Sequence, residues 1–310
     1  MKDKDPSIIQ MVRAQFLVGI IIPLVIGTLT AVSISGVFHL WGFILVLIVG
    51  LGLHVSTDVY NDIYDTKQGA DTKSDSSRNY FSGGSGVLIE KPYLMKRMYL
   101  LARLGLVLSF IGMIGLLLLI DRNLWAYVII IYVVSAFFSK YYTAAPAKLG
   151  YRGFGEFLVW LSFGPLAIIL ACLSQDMVPQ GMFCAIMPIT GFTTLTILWV
   201  GQLVDLPNDI AAGKRGMVAR IGPKKAIYGY MIIQSLLIFN TLILSFFVVR
   251  HGWLLLIALV PFIFLLPKIW KILKKYYADT SKLVPITNLN STLYGVYSFL
   301  FILGLWLTLL

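Results

Sequence analysis

Residues 41–71 read WGFILVLIVGLGLHVSTDVYNDIYDTKQGAD. From Trp41 to Val55 the stretch is almost pure hydrocarbon. It then ends in Asp58, Asp62, Asp65 and Asp71. An apolar run of this kind predicts a helix on its way across about 30 Å of bilayer. Carboxylates gathered at the mouth of such a helix are costly in oil and need a reason.

The same apolar texture continues along the chain. Of 310 residues, 58% are hydrophobic and 13% charged, whereas soluble domains carry about a quarter charged residues. Nine spans are expected, at roughly 11–33, 39–60, 97–120, 123–142, 154–174, 180–203, 224–249, 252–272 and 288–310. The fold class is therefore an all-α polytopic bundle, with residues 1–310 forming a single transmembrane domain. The first span lacks a small-residue cleavage site and reads as a membrane helix, not a signal peptide. Cys172 and Cys184 have no metal-ligand spacing and read as packing residues.

Lysine and arginine set the orientation. With the N-terminus in the cytoplasm, 23 of the 25 basic residues fall on inner segments, and only Arg122 and Arg250 fall outside. The formal charge of +11 is then topology plus attraction to anionic membrane lipids. It is no sign of nucleic acid.

The acids follow another rule. Asn61-Asp62-Ile63 recurs as Asn208-Asp209-Ile210, and each is followed by a stretch of glycine and charge. The chain reads as two pseudo-repeated halves, one motif in each. On a helix, His54, Asp58, Asn61/Asp62 and Asp65 share a face, as do Gln202, Asp205 and Asp209. Two facing sets of carboxylates repel unless cations lie between them. Hard oxygen donors without His/Cys pairs suit Mg²⁺, which commonly shares a phosphate-bearing ligand. Lys67, Arg78, Lys214, Arg215 and Arg220 stand beside the motifs and suit that phosphate too. A phosphate held at the surface over an apolar bundle describes an isoprenoid diphosphate.

At this point the residues acquire a likeness. NDIYDTKQGAD at 61–71 resembles the first aspartate motif of the UbiA superfamily of intramembrane prenyltransferases, and DLPNDIAAGKRGMVARIG at 205–222 resembles the second. YYTAAPAKLGYRGFGEFLVWLSFGPL at 141–166 is similar to the stretch between them. The NDxxDxxxGxD spacing and FSGGSGVL at 81–88 resemble the menaquinone-pathway branch, whose members prenylate 1,4-dihydroxy-2-naphthoate. The resemblance implies nine helices and an enzyme that binds a polyprenyl diphosphate through Mg²⁺. Diphosphate leaves, and an aromatic acceptor attacks the allylic cation. By position it implies metal contacts from Asp58, Asn61, Asp62, Asp65, Asp71, Asp205 and Asp209. Of these, Asp62, Asp65 and Asp209, together with Lys148, would carry the catalysis. Substrate contacts would come from Asn61, Lys67, Arg78, Tyr142, Thr143, Arg152, Gln202, Lys214 and Arg215. Lys148 or Arg152 would meet the acceptor carboxylate, and Tyr60, Tyr64 and Tyr142 would face the cation. Asp58, Gln202, Pro207 and Gly216 depart from the residues usual in the superfamily.

Other readings stay open. Lys67, Lys148, Arg152, Lys214 and Arg215 also fit as positive-inside anchors. His54 fits as a packing or hydrogen-bonding residue. Glu156 fits as an i, i+4 partner of Arg152, and Gly83, Gly84 and Gly86 as either a phosphate-cradling turn or a plain loop. The segment from about Thr66 to Lys96 is long enough for a lid over a site that opens to the cytoplasm. The acceptor could instead be 4-hydroxybenzoate, homogentisate, a haem porphyrin or a glycerol phosphate. A secondary transporter would carry its acids near the bilayer midplane, whereas these lie at helix ends. A lipid-binding scaffold has no need of two aspartate motifs. Oligomeric state is not set by the sequence.

Overall fold

The computed structural model describes residues 5–71 and 84–309. Among these residues there is no strand, and nine helices are long and apolar enough to cross a membrane. They are α1 (Ala14–Ser35), α2 (Leu40–Gln68), α3 (Pro92–Leu119), α4 (Arg122–Tyr141), α5 (Gly155–Ser174), α6 (Gly181–Val204), α7 (Pro223–Val248), α8 (Gly252–Tyr276) and α9 (Thr280–Leu307). The chain is an integral, multi-pass membrane protein.

The boundaries shift where composition misleads. α2 continues to Gln68 as one helix of 29 residues, so the first motif up to Asp65 is helical throughout. It stops where Gly69 takes a left-handed φ of 77° and its N–H reaches back to Asp65 and Thr66 carbonyls, a conformation glycine adopts without penalty. α6 behaves differently. It ends at Val204, and residues Leu206–Ala211 form a separate short helix. Pro207 lacks the N–H that a continuous helix would need. The second motif therefore straddles a break and does not ride one helix.

Small residues set the helix spacing, as expected in a bilayer, where apolar burial alone does not drive helices together. α2 crosses α3 where Gly52 meets Gly105: a Cβ on Gly52 would lie 2.5 Å from the Gly105 carbonyl oxygen, and one on Gly105 2.6 Å from that of Gly52. In the second half α6 packs along α7, the counterpart of the α2–α3 pair. α1 against α5 joins the halves, where Gly27 abuts Ala171. A core of Phe183, Tyr230, Tyr297 and Phe301 fills α6 to α9, and another built on Leu24, Val46, Val49 and Leu116 fills the first half.

A third, smaller core lies at the motif end of the bundle. Met11, Val59, Ile63, Leu88 and Met98 pack there. It buries the short helix Val87–Glu90, so this return leg of the segment expected to be a lid is fixed against α2. Residues 72–83 lie outside the described region, and with them Arg78 and Gly83.

Candidate active site at the helix mouths

The two acid motifs line one cavity of about 520 Å³. From α2 come Asp58, Asn61 and Asp65, with Asp71 just beyond; Gln202, Asp205, Asp209 and Lys214 face them. Asp62 does not share that face. One residue is about 100° of helix turn, and this turns it to the returning loop. There it accepts hydrogen bonds from the Ser85 N–H (2.7 Å) and Ser85 Oγ (2.6 Å).

Asp65 is the hub. It accepts from Tyr151 Oη at 2.7 Å and from Asn61 Nδ2 at 3.1 Å, and Lys214 Nζ lies 3.3 Å away. The same ammonium lies 3.5 Å from Asp209 Oδ1 and thus bridges the two motifs. The cation demanded between two carboxylate faces is, in this structure, a lysine. Burial works against its charge, but Asp209 and Asp65 outweigh that and hold its pKa well above the ordinary value. Burial, then Asp65, pushes the Tyr151 phenol up, so it stays a proton donor to Asp65. Burial also raises Asp71, with Asp65 and Asp62 adding to it, to about 8.

Among the described residues, three buried carboxylate or amide oxygens on this cavity wall have no hydrogen-bond donor: Asp58 Oδ2, Asn61 Oδ1 and Gln202 Oε1. Asp58 Oδ2 faces His54 Nε2 at 3.3 Å. Unsatisfied buried acceptors of this kind call for a cation or a donor. Hard oxygens at the cavity fit Mg²⁺. Among the described residues no three His, Cys, Asp or Glu side chains form a complete metal cage.

Other expected site residues lie elsewhere. Lys67 is exposed and donates to Tyr99 Oη at 3.0 Å. Tyr60 and Tyr64 meet that same Tyr99 edge-on between α2 and α3, and neither lines the cavity. Arg215 is exposed. Arg152 is exposed and donates to the Pro146 carbonyl oxygen at 3.0 Å. It makes no ion pair with Glu156, whose Oε1 accepts the Met217 N–H instead at 2.5 Å. Lys148 sits on a left-handed backbone, φ 45°, with its ammonium 5.8 Å from the Tyr151 ring centre. Thr143 is buried, and its carbonyl accepts from Gln68 Nε2 at 3.1 Å.

Tyr142 lines a second cavity of about 220 Å³. Its wall is mostly apolar, including Leu24, Leu53, Ile131, Leu158 and Leu170. His54, Asp58, Asn61 and Phe163 line both cavities, so the two adjoin along a shared wall. Phe163 lies on a π-bulge of α5, Ser162–Leu166, which carries Pro165. Such bulges often mark functional positions. Its ring meets the edge of His54 at 5.2 Å between centres.

Sequence reading missed Ser85, Tyr151, Arg13 and the polar positions Asn288, Ser291 and Thr292 on α9. Each had a signal. Tyr151 and Ser85 lie inside the quoted stretches 141–166 and 81–88, and NLNST interrupts an otherwise apolar span. Arg13 is a charge at the threshold of the first span.

The model of the UbiA prenyltransferase family matches residues 20–292. A 2-carboxy-1,4-naphthoquinone phytyltransferase of Synechocystis is 26% identical over 66% of this chain and 62% of its own length. A 1,4-dihydroxy-2-naphthoate octaprenyltransferase of Mycobacterium tuberculosis is 28% identical over 73% of this chain and 72% of its own. The chain thus spans about three fifths of the first relative's length. Among solved structures, a UbiA homolog from Archaeoglobus fulgidus bound to DMAPP and Mg²⁺ superimposes with a TM-score of 0.60. It covers 97% of this chain and 98% of that one, at 15% identity.

Proposed function

The chain belongs to the UbiA prenyltransferase family, and on that premise we propose that it transfers a polyprenyl chain from an isoprenoid diphosphate to an aromatic acceptor. The acceptor is 1,4-dihydroxy-2-naphthoate or a similar quinone precursor, a reading supported by the names of the relatives above. One observation carries the proposal: residues of both acid motifs line a single cavity, which shares part of its wall with a second, more apolar one. The first suits a diphosphate and the second a hydrocarbon tail.

Mg²⁺ would be held by Asp58, Asn61, Asp62, Asp65 and Asp71 from the first motif and by Asp205 and Asp209 from the second. The family resemblance assigns Asp62, although in this structure its oxygens are taken by Ser85. When bound, the ion neutralises charge on the departing diphosphate. Lys214 stands ready to bind the same phosphates in place of its carboxylates. Phe163 offers an aromatic face at the seam of the two cavities, where a developing allylic cation would lie. The apolar wall keeps water from quenching that cation. By the lysine and arginine bias, the site faces the cytoplasm from the cell membrane.

The test is turnover in nanodiscs with geranylgeranyl diphosphate and a panel of aromatic acceptors, read by mass spectrometry. Mg²⁺-dependent prenylated naphthoquinol is the expected product. Asp209→Ala should lower kcat/KM by about 10²–10³-fold or more, the usual cost of losing a transition-state charge stabiliser, while thermal melting still shows a folded protein. Wild-type-like turnover in that variant would remove the second motif from the metal site. Product with another acceptor alone would keep the reaction and change the pathway.

A further inference from the structure

If the acceptor is a carboxylated aromatic, some cation must receive its carboxylate. The two residues that sequence suggested, Lys148 and Arg152, are turned to Tyr151 and to a backbone carbonyl. Among the described residues, the basic side chains that line the main cavity are Arg13 and Lys214. Lys214 is engaged by Asp65 and Asp209. Arg13 lines the cavity with its planar fork of donors; its charge also acts on Asp62 and Asp71 nearby, but among the described residues no carboxylate is within ion-pair distance of it.

Its setting is built for the purpose. Arg13 joins the short helix Ile8–Met11 to α1 with φ 51° and ψ 49°. That conformation is uncommon outside glycine and tends to persist where a side chain must be aimed. The aim is fixed by Phe16, whose ring centre lies 4.5 Å from the guanidinium carbon. A guanidinium backed by a ring and partly shielded from water favours a flat, anionic, aromatic partner. Asn288 and Ser291 of α9 line the same cavity and supply polar groups for ring hydroxyls. Asp58, Asn61 and Asp65, where the diphosphate would be held, line it too.

We propose that Arg13 binds the carboxylate of the aromatic acceptor and so sets the enzyme's preference for carboxylated rings. The proposal rests on the transferase reading above and assigns its acceptor subsite. A carboxylate is matched by the two parallel N–H donors of a guanidinium, and Lys would match it less well.

Equilibrium binding in nanodiscs tests this without turnover. The probes are 1-hydroxy-2-naphthoate, 1-naphthol and farnesyl thiodiphosphate, the last with Mg²⁺ present. Wild type should bind the naphthoate about tenfold or more tighter than the naphthol, the worth of one charge-assisted pair. Arg13→Gln should erase that margin and leave thiodiphosphate binding within about twofold. Arg13→Lys should keep part of the margin, and it carries the test should the Gln variant fail to fold. Survival of the margin in Arg13→Gln overturns the proposal. So does a loss of thiodiphosphate affinity with the margin intact, which would assign the guanidinium to the diphosphate. Wild type that binds thiodiphosphate but neither aromatic defeats the naphthoate reading itself, and the proposal with it.

Discussion

The two acid motifs carry similar residues and are held in opposite ways. The first rides a continuous 29-residue helix and is gripped from outside, by Ser85 on Asp62 and by Tyr151 on Asp65. The second straddles the end of α6, with Pro207 opening a short helix of six residues. Its Asp209 is answered by Lys214, five residues further on, whose own N–H donates to the Asp209 carbonyl at 2.8 Å. One motif is held by the groups packed around it, and Lys214 links the other to it.

Removing the shared link is the strongest way to break this arrangement. Lys214→Met leaves two buried carboxylates facing each other, and losing one partner of a buried ion pair costs about 3 kcal/mol or more. The melting temperature in Mg²⁺-free buffer should fall by several degrees, and added Mg²⁺ should restore much of it. A melt that ignores Mg²⁺ in the variant would mean that no cation takes the lysine's place.

Tyr151→Phe touches the first motif alone. It removes one hydrogen bond to a charged acceptor, worth about 1.5–3 kcal/mol, and should lower kcat/KM by roughly tenfold or more. Combined with Lys214→Met it should be non-additive, since both groups act on Asp65. Strict additivity would show that the two motifs are set independently.

Asp71 gives the most diagnostic effect, because it is read as a dependence on pH. Its folded pKa of about 8 lies above the unfolded value of about 3.9. Between those values the folded chain holds a proton that the unfolded chain has lost. The contribution is complete below pH 4 and lost as pH rises through 8. Without divalent cations, wild type should therefore lose stability over that window, and Asp71→Asn should flatten the profile. Equal slopes in the two proteins would show that the Asp71 carboxyl titrates normally.

Length and composition were enough for nine spans, because crossing a bilayer demands little more of a helix than apolar length. They did not reveal that α2 outruns its greasy part, since Asp58 to Gln68 is held helical by packing against the Val87–Glu90 turn, which is remote in sequence. The break after Val204 had its sign in Pro207, which a face count at i, i+3 and i+7 ignores. Which of Asn61 and Asp62 looks into the cavity was hidden too, because the answer depends on where Ser85 comes to rest. Lys148 and Arg152 look promising as neighbours in a motif, yet the left-handed backbone at Lys148 and the carbonyl beneath Arg152 point both away. Arg13 stood apart from every motif and only folding brings it to the acids.

The contact between Gly52 and Gly105 binds the histories of two positions together. With each missing Cβ filled by the other's carbonyl, a larger residue at one forces α2 and α3 apart whatever stands at the other. Descent should therefore keep or exchange them as a pair. A chimera that imports α2 from a relative without its α3 should misplace the first acid motif even when every motif residue is correct.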